Sequence, residues 1–140
     1  MYESGGLNLI QIDDAGSGSL VGGTCIGILR TETMEYYYDI IPLKMYREKY
    51  FNKKYYLKYT SSIVESGLKK IQFKNDEPIY ICRGYMFDDT RETLKNSGLN
   101  VISTKIEEPL QSIIEKSFEG YAISLGLPSD FLKYTKYPFH

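Results

Sequence analysis

The feature that most constrains the fold is a stretch near the N-terminus, LNLIQIDDAGSGSLVGGTCIGIL at residues 7–29. Two apolar runs flank a pair of acids and a Gly/Ser loop. Short apolar runs bounded by turn residues are typical of buried strands. The stretch therefore predicts a hairpin with strands at residues 7–12 and 22–30, in which Asp13 and Asp14 follow the end of the first strand.

The rest of the chain alternates between strand and helix patterns. Three further segments have the apolar pattern of strands, at residues 34–43, 79–82 and 99–104. Apolar residues recur every three or four positions from residue 45 to residue 71, which predicts a long helix. Shorter helical patterns follow Phe87 and Pro109, and Asp89 with Glu92 predicts a capping box at the first of them. The predicted order is β-β-β-α-β-α-β-α.

This order predicts one three-layer α/β domain over residues 1–140, with residues 1–6 and 129–140 at its periphery. The first three strands form an antiparallel meander. A helical crossover connects strands that run parallel, so the fourth and fifth strands are predicted to be parallel to their neighbours.

The net charge and the lack of targeting signals restrict the possible partners of the chain and its place in the cell. The formal net charge of −1 excludes binding of nucleic acid through bulk charge, but residues 44–58 form a local Lys/Tyr-rich segment that includes Lys53 and Lys54. This segment would contact phosphates or form an ordinary solvated helix face. We find no secretory leader and no apolar run near the ~20 residues of a membrane span, which predicts a cytoplasmic protein with no membrane partner.

The two cysteines and the single histidine exclude several kinds of site. Cys25 and Cys82 both lie in apolar runs and neither has a CxxC partner, so we expect free core thiols rather than a disulfide. His140 is the C-terminal residue of the chain and cannot serve as the base of a Ser/His or Cys/His triad.

The acidic hairpin carries a resemblance to a known family. Its DDAGSGSLVG, at residues 13–22, resembles the DEAGRGPLAG opening of type 2 ribonucleases H. The order of elements is also similar to the ribonuclease H-like fold. The resemblance implies a mixed five-stranded sheet of order 3-2-1-4-5 with helices on both faces.

The resemblance also implies an activity, the metal-dependent cleavage of phosphodiester bonds in RNA or another nucleic acid. In that family carboxylates bind two divalent cations, which here would be Mg²⁺ or Mn²⁺. Asp13 corresponds to the central ligand, and Asp14 replaces the Glu of the family. At the end of strand four, Arg83 stands where the family has an acid, so the remaining ligands would be Asp88 and, from the last helix, Glu115.

Substrate contacts are predicted in the loop and beside strand four. Gly16, Ser17 and Gly18 could cradle a phosphate, although a tight hairpin also requires glycine. Arg83 would either contact a phosphate or pair with Asp13 in place of a metal ion.

Three function classes remain open from the sequence. The first is the nuclease, and the second is a catalytically inactive relative that serves as a binding or assembly module. The third is the nucleotide-binding branch of the same architecture, which clamps ATP between two such domains, whereas 140 residues provide only one. Asp14 also has a simpler interpretation as the start of an Asx turn.

Overall fold

The structure is a computed structural model that describes residues 8–16, 23–42 and 53–126. Within these ranges the chain forms a mixed five-stranded sheet with helices packed on both faces. None of the helices in these ranges has the length and apolarity that crossing a membrane would require.

The sheet contains strands from both halves of the chain. They are β1 (Ile10–Ala15), β2 (Gly23–Arg30), β3 (Glu35–Pro42), β4 (Ile79–Ile81) and β5 (Val101–Ser103). Their order is β3-β2-β1-β4-β5, which confirms the predicted order. β1, β2 and β3 form an antiparallel meander, whereas β4 runs parallel to β1 and β5. β1 is therefore the central strand.

Helices cover the two faces of the sheet and enclose a core on each. They are α1 (Lys53–Lys70), α2 (Asp88–Asn96), which follows a 3-10 turn at Tyr85–Phe87, and α3 (Leu110–Ser124). α1 and α2 pack on isoleucines of β1, β2 and β4. α3 covers the other face with four buried side chains spaced four residues apart, Leu110, Ile114, Phe118 and Ala122.

The first strand differs from its predicted bounds. The sequence predicts a strand at residues 7–12 with the acids after it, whereas β1 continues to Ala15. Pairing with β2 persists to the end of β1, where Ala15 lies opposite Cys25, and the ladder keeps the acids extended. The alternative interpretation of Asp14 as the start of an Asx turn is therefore wrong. The other four strands lie within their predicted segments, and the predicted start of the long helix lies outside the described residues.

Gly67 allows α1 to approach the sheet closely. A Cβ atom at this buried position would lie 2.7 Å from Cδ1 of Ile28 and 2.8 Å from Cδ2 of Tyr37. The sequence alone suggests only that Gly67 weakens the helix, because glycine is a poor helix former. Gly120 in α3 provides a contrast, since an added Cβ there meets no atom within 4 Å.

Alanine substitutions at these two glycines should change stability in opposite directions. Gly120→Ala is expected to raise the free energy of unfolding by about 0.5–1 kcal/mol, because alanine favours the helix and its methyl group is unobstructed. Gly67→Ala should lower it by about 1–3 kcal/mol, because overpacking against the sheet outweighs helix propensity. Urea denaturation measures both changes. Equal stabilisation by the two substitutions would contradict the close approach at Gly67.

A buried ion pair lies at the end of the sheet opposite to the acids. Arg30, the last residue of β2, donates to Glu77 through Nε at 2.7 Å and through Nη2 at 2.9 Å. Arg30 also donates to the main-chain carbonyls of Ile71 at 2.7 Å and Gln72 at 3.1 Å, and it pairs with Glu35. The pair ties the loop between α1 and β4 to the meander.

Candidate metal site

Asp13 and Asp14 occupy the second half of the central strand. In the ladder with β2, Asp13 lies opposite Gly27 and Asp14 lies opposite Ile26. Side chains alternate along a strand, so Asp13 lies on the α3 side of the sheet. Its Oδ1 accepts a hydrogen bond of 2.8 Å from the main-chain N–H of Asp14. The backbone that carries both acids is therefore fixed by the sheet.

The thiol of Cys82 lies beside these two carboxylates. Cys82 is the first residue after β4, and its main-chain N–H donates to the carbonyl of Ile12 at 3.0 Å. This bond continues the parallel pairing of β1 and β4. One ligand atom each from Asp13, Asp14 and Cys82 lies within 4.8 Å of the other two, and all three residues are partly buried. We refer to these three residues as the Asp–Asp–Cys cluster.

Burial makes the charged forms of this cluster unfavourable. Burial, followed by the charge of Asp13, raises the pKa of Asp14 to about 7. Burial also raises the pKa of Asp13, although the N–H of Asp14 and the Cys82 thiol stabilise its carboxylate. Burial and the charge of Asp13 raise the pKa of the Cys82 thiol to about 12, so the thiol is protonated at neutral pH. A bound cation would offset these costs.

Arg91 of α2 fixes the loop that carries Cys82. Its Nη1 donates to the carbonyl oxygens of Cys82 at 2.6 Å and Gly84 at 3.2 Å. The N–H of Gly84 donates to the Cys82 Sγ at 3.3 Å. Arg91 also forms an ion pair with Asp88. The position of the thiol is therefore set by α2 as well as by β4.

The two other predicted metal ligands lie outside the Asp–Asp–Cys cluster. Glu115 on α3 is near enough to Asp13 that its negative charge contributes to raising the pKa of Asp13. Asp88 is exposed and paired with Arg91 at the start of α2. Neither acid belongs to the group of described residues whose ligand atoms all lie within 4.8 Å of one another.

The predicted substrate contacts are described only in part. Arg83 is exposed, and among the described ion pairs none joins it to Asp13. Gly16 has φ +89°, and an added Cβ would lie 2.3 Å from the ring of Phe118, so packing against α3 is sufficient to require glycine. The other predicted contacts lie outside the described part of the chain. These are the residues Ser17 and Gly18 and the side chains of Lys53 and Lys54.

Asp89 does not cap α2 as predicted. Phe87 is the N-cap residue and makes no side-chain capping bond. Asp89 instead accepts a hydrogen bond of 2.7 Å from Oγ of Ser61 and pairs with Lys58 at 3.0 Å. These two α1 donors lower its pKa and join the two helices. The capping-box prediction is wrong because the sequence does not reveal the donors on the facing helix.

Two members of this arrangement were missed from the sequence. The sequence predicts a core thiol at Cys82 and indicates no role for Arg91. Cys82 could have been found, because the carboxyl ends of adjacent parallel strands meet at one edge of a sheet. Arg91 could not, because the oxygens it binds at Cys82 and Gly84 belong to the main chain.

No protein-family model matches the chain, and no curated protein is significantly similar to it. The donor atoms of the Asp–Asp–Cys cluster determine which ions it suits. Carboxylate oxygens are suitable ligands for Mg²⁺ and Mn²⁺, whereas sulfur suits softer ions such as Zn²⁺. The carboxylate pair fits a divalent cation, and Cys82 is a donor that does not fit Mg²⁺.

Proposed function

We propose that this chain is a metal-dependent nuclease of the ribonuclease H-like superfamily that cleaves phosphodiester bonds in RNA or another nucleic acid. The observation that carries the proposal is the convergence of Asp13, Asp14 and the Cys82 thiol within 4.8 Å at the central strand. The raised pKa values of both acids support a cationic ligand. The strand order and the motif at residues 13–22 support the relationship.

Each nearby side chain has a role in this proposal. Asp13 and Asp14 hold a divalent cation, and Glu115 adds negative charge on the α3 side of the same site. The bound cation supplies the activation of a water and the stabilisation of the leaving oxygen. Arg83 is exposed on the loop that begins at Cys82, where its guanidinium is available to a phosphate.

The nuclease proposal is tested by the dependence of cleavage on Asp13. With Mg²⁺ or Mn²⁺, the protein is expected to cleave an RNA–DNA hybrid, an RNA duplex or a junction substrate. Asp13→Asn should lower the rate by more than about 100-fold, because groups that merely support a metal ligand already contribute roughly 10–100-fold. Asp76→Asn, which changes an exposed acid in the loop before β4, is the matched control and should retain the rate. Wild type no faster than Asp13→Asn on all three substrates would refute the proposal.

A second candidate function is a catalytically inactive relative that serves as a binding or assembly module. Two observations favour it: Arg91 engages Asp88, and Arg83 stands where the family has an acid. Titration calorimetry with Mn²⁺ discriminates between the two functions. Micromolar binding that disappears in Asp13→Ala would contradict the inactive module.

A further inference from the structure

We propose that the thiol of Cys82 is a metal ligand that makes the Asp–Asp–Cys cluster select thiophilic divalent cations, with Zn²⁺ and Cd²⁺ preferred over Mg²⁺. This inference rests on the proposed function, since the same two acids hold the ion. It goes further because it identifies the chemical class of the ion and assigns a third ligand from outside the acidic hairpin.

The spacing of the donor atoms is compatible with one shared ion. Bonds from zinc to oxygen and sulfur are roughly 2.0–2.3 Å long, so the donors of one tetrahedral ion lie roughly 3.3–3.7 Å apart. The donor atoms of the Asp–Asp–Cys cluster lie within 4.8 Å of one another. Rotation of the three side chains would bring these atoms into one coordination sphere.

The third donor atom of the cluster, after the two carboxylates, is the sulfur of Cys82. Arg91 forms an ion pair with Asp88, which keeps this carboxylate away from the cluster. It also donates to the carbonyl of Cys82, which fixes the position of the thiol. The main-chain N–H of Gly84, 3.3 Å from Sγ, is oriented to stabilise a thiolate. The cluster therefore offers two carboxylates and one sulfur to an ion.

The chemistry of these donors discriminates between cations. Mg²⁺ prefers octahedral oxygen ligands and loses its bound water reluctantly, so a sulfur atom replaces a favourable ligand with a poor one. Zn²⁺ binds thiolate and carboxylate together in proteins. A thiol that coordinates a metal loses its proton outright, so each ion bound releases the Cys82 proton to the solvent. The resulting site has three negative charges around a divalent cation.

The test measures metal binding directly, under reducing conditions and without an activity assay. Cd²⁺ is titrated while the ultraviolet thiolate-to-cadmium absorption is recorded, and Zn²⁺ and Mg²⁺ are titrated by calorimetry. Wild type is expected to show the cadmium band and to bind Zn²⁺ more tightly than Mg²⁺ by at least about 100-fold. Cys82→Ser should lose the band and weaken Zn²⁺ binding by about 100-fold or more.

Two further variants make the test specific. Cys25→Ser removes the other free thiol, which is buried, and should keep the cadmium band of wild type. Cys82→Asp replaces sulfur with oxygen and should bind Mg²⁺ more tightly than wild type does. This second variant keeps the proposal falsifiable if Cys82→Ser fails to fold, which circular dichroism would reveal.

The outcomes separate this inference from the proposed function. A cadmium band that persists in Cys82→Ser, or equal affinity of wild type for Mg²⁺ and Zn²⁺, overturns the selectivity even if the protein cleaves nucleic acid with Mg²⁺. Zn²⁺ binding through Cys82 without cleavage in the presence of any ion supports the selectivity and refutes the nuclease. Absence of binding by every ion overturns both.

Discussion

Replacing Glu77 with glutamine is expected to lower the free energy of unfolding by about 3–5 kcal/mol, the usual cost of removing one partner of a buried ion pair. The side chains of Arg30 and Glu77 are only 7% and 3% exposed, and two hydrogen bonds join them. Glu77→Gln removes the buried countercharge of the guanidinium and leaves only Glu35, which is half exposed. Urea denaturation at neutral pH measures the loss.

Glu35 provides a matched control for this prediction, because it pairs with the same arginine. Its side chain is 46% exposed, so Glu35→Gln should have a much smaller effect. Hydrogen bonding to Arg30 lowers the pKa of Glu77 from 4.5. The stability that the pair contributes is therefore present above about pH 4.5 and lost as the pH falls through the lowered pKa. Similar losses from the two substitutions would contradict the dominant role of Glu77.

Replacing Asp14 with asparagine should stabilise the fold at pH 8 in the absence of metal ions. Burial raises the pKa of this acid from 3.8 to about 7, so its charged form is unfavourable in the native state. Removing the charge is expected to raise the free energy of unfolding by on the order of 2–4 kcal/mol. Asp76→Asn, at an exposed acid, is the control and should change little. Thermal and urea unfolding in the presence of a chelator measure both variants.

The pH dependence gives an independent check on the state of Asp14. Between about pH 4 and pH 7 the native state binds a proton at Asp14 that the unfolded state has released, so the stability of wild type should fall as the pH rises through this window. Asp14→Asn should lack this contribution. A variant no more stable than wild type at pH 8, with the same pH profile, would show that Asp14 is not destabilised by burial.

These two predictions concern opposite ends of the sheet and opposite uses of a carboxylate. Glu77 stabilises the fold because it pairs with Arg30, a cation of the same chain. Asp14 destabilises the fold unless a cation is supplied, which is the usual trade-off between stability and function at a binding site. Added Zn²⁺ should therefore stabilise wild type and not Asp14→Asn.

The strand order was predictable from the sequence because it depends on periodicity and on connections. The apolar run of β2 and the helical spacing after residue 53 are local patterns, and a helical crossover constrains the direction of β4. The end of β1 was not predictable. Whether Asp13 and Asp14 continue the strand or begin a turn is decided by the length of the partner strand, which local sequence does not encode.

The candidate site was predictable only where it is contiguous in sequence. The two adjacent acids are recognisable in the motif at residues 13–22. Cys82 lies about 70 residues later in the chain and reaches them through strand pairing. The separation of Asp88 from the cluster follows from its ion pair with Arg91. Such tertiary contacts carry no signature in a single sequence.

The central position of β1 also determines how the site can open. Residues 10–12 are paired on both sides, with β2 and with β4, and Asp13 follows directly on them. Amide groups of such a strand exchange with solvent through opening of the whole sheet rather than through local fraying. Asp13 and Asp14 continue this strand and stay paired with β2, so the repulsion between the two acids destabilises a segment that belongs to the cooperative unit of the sheet.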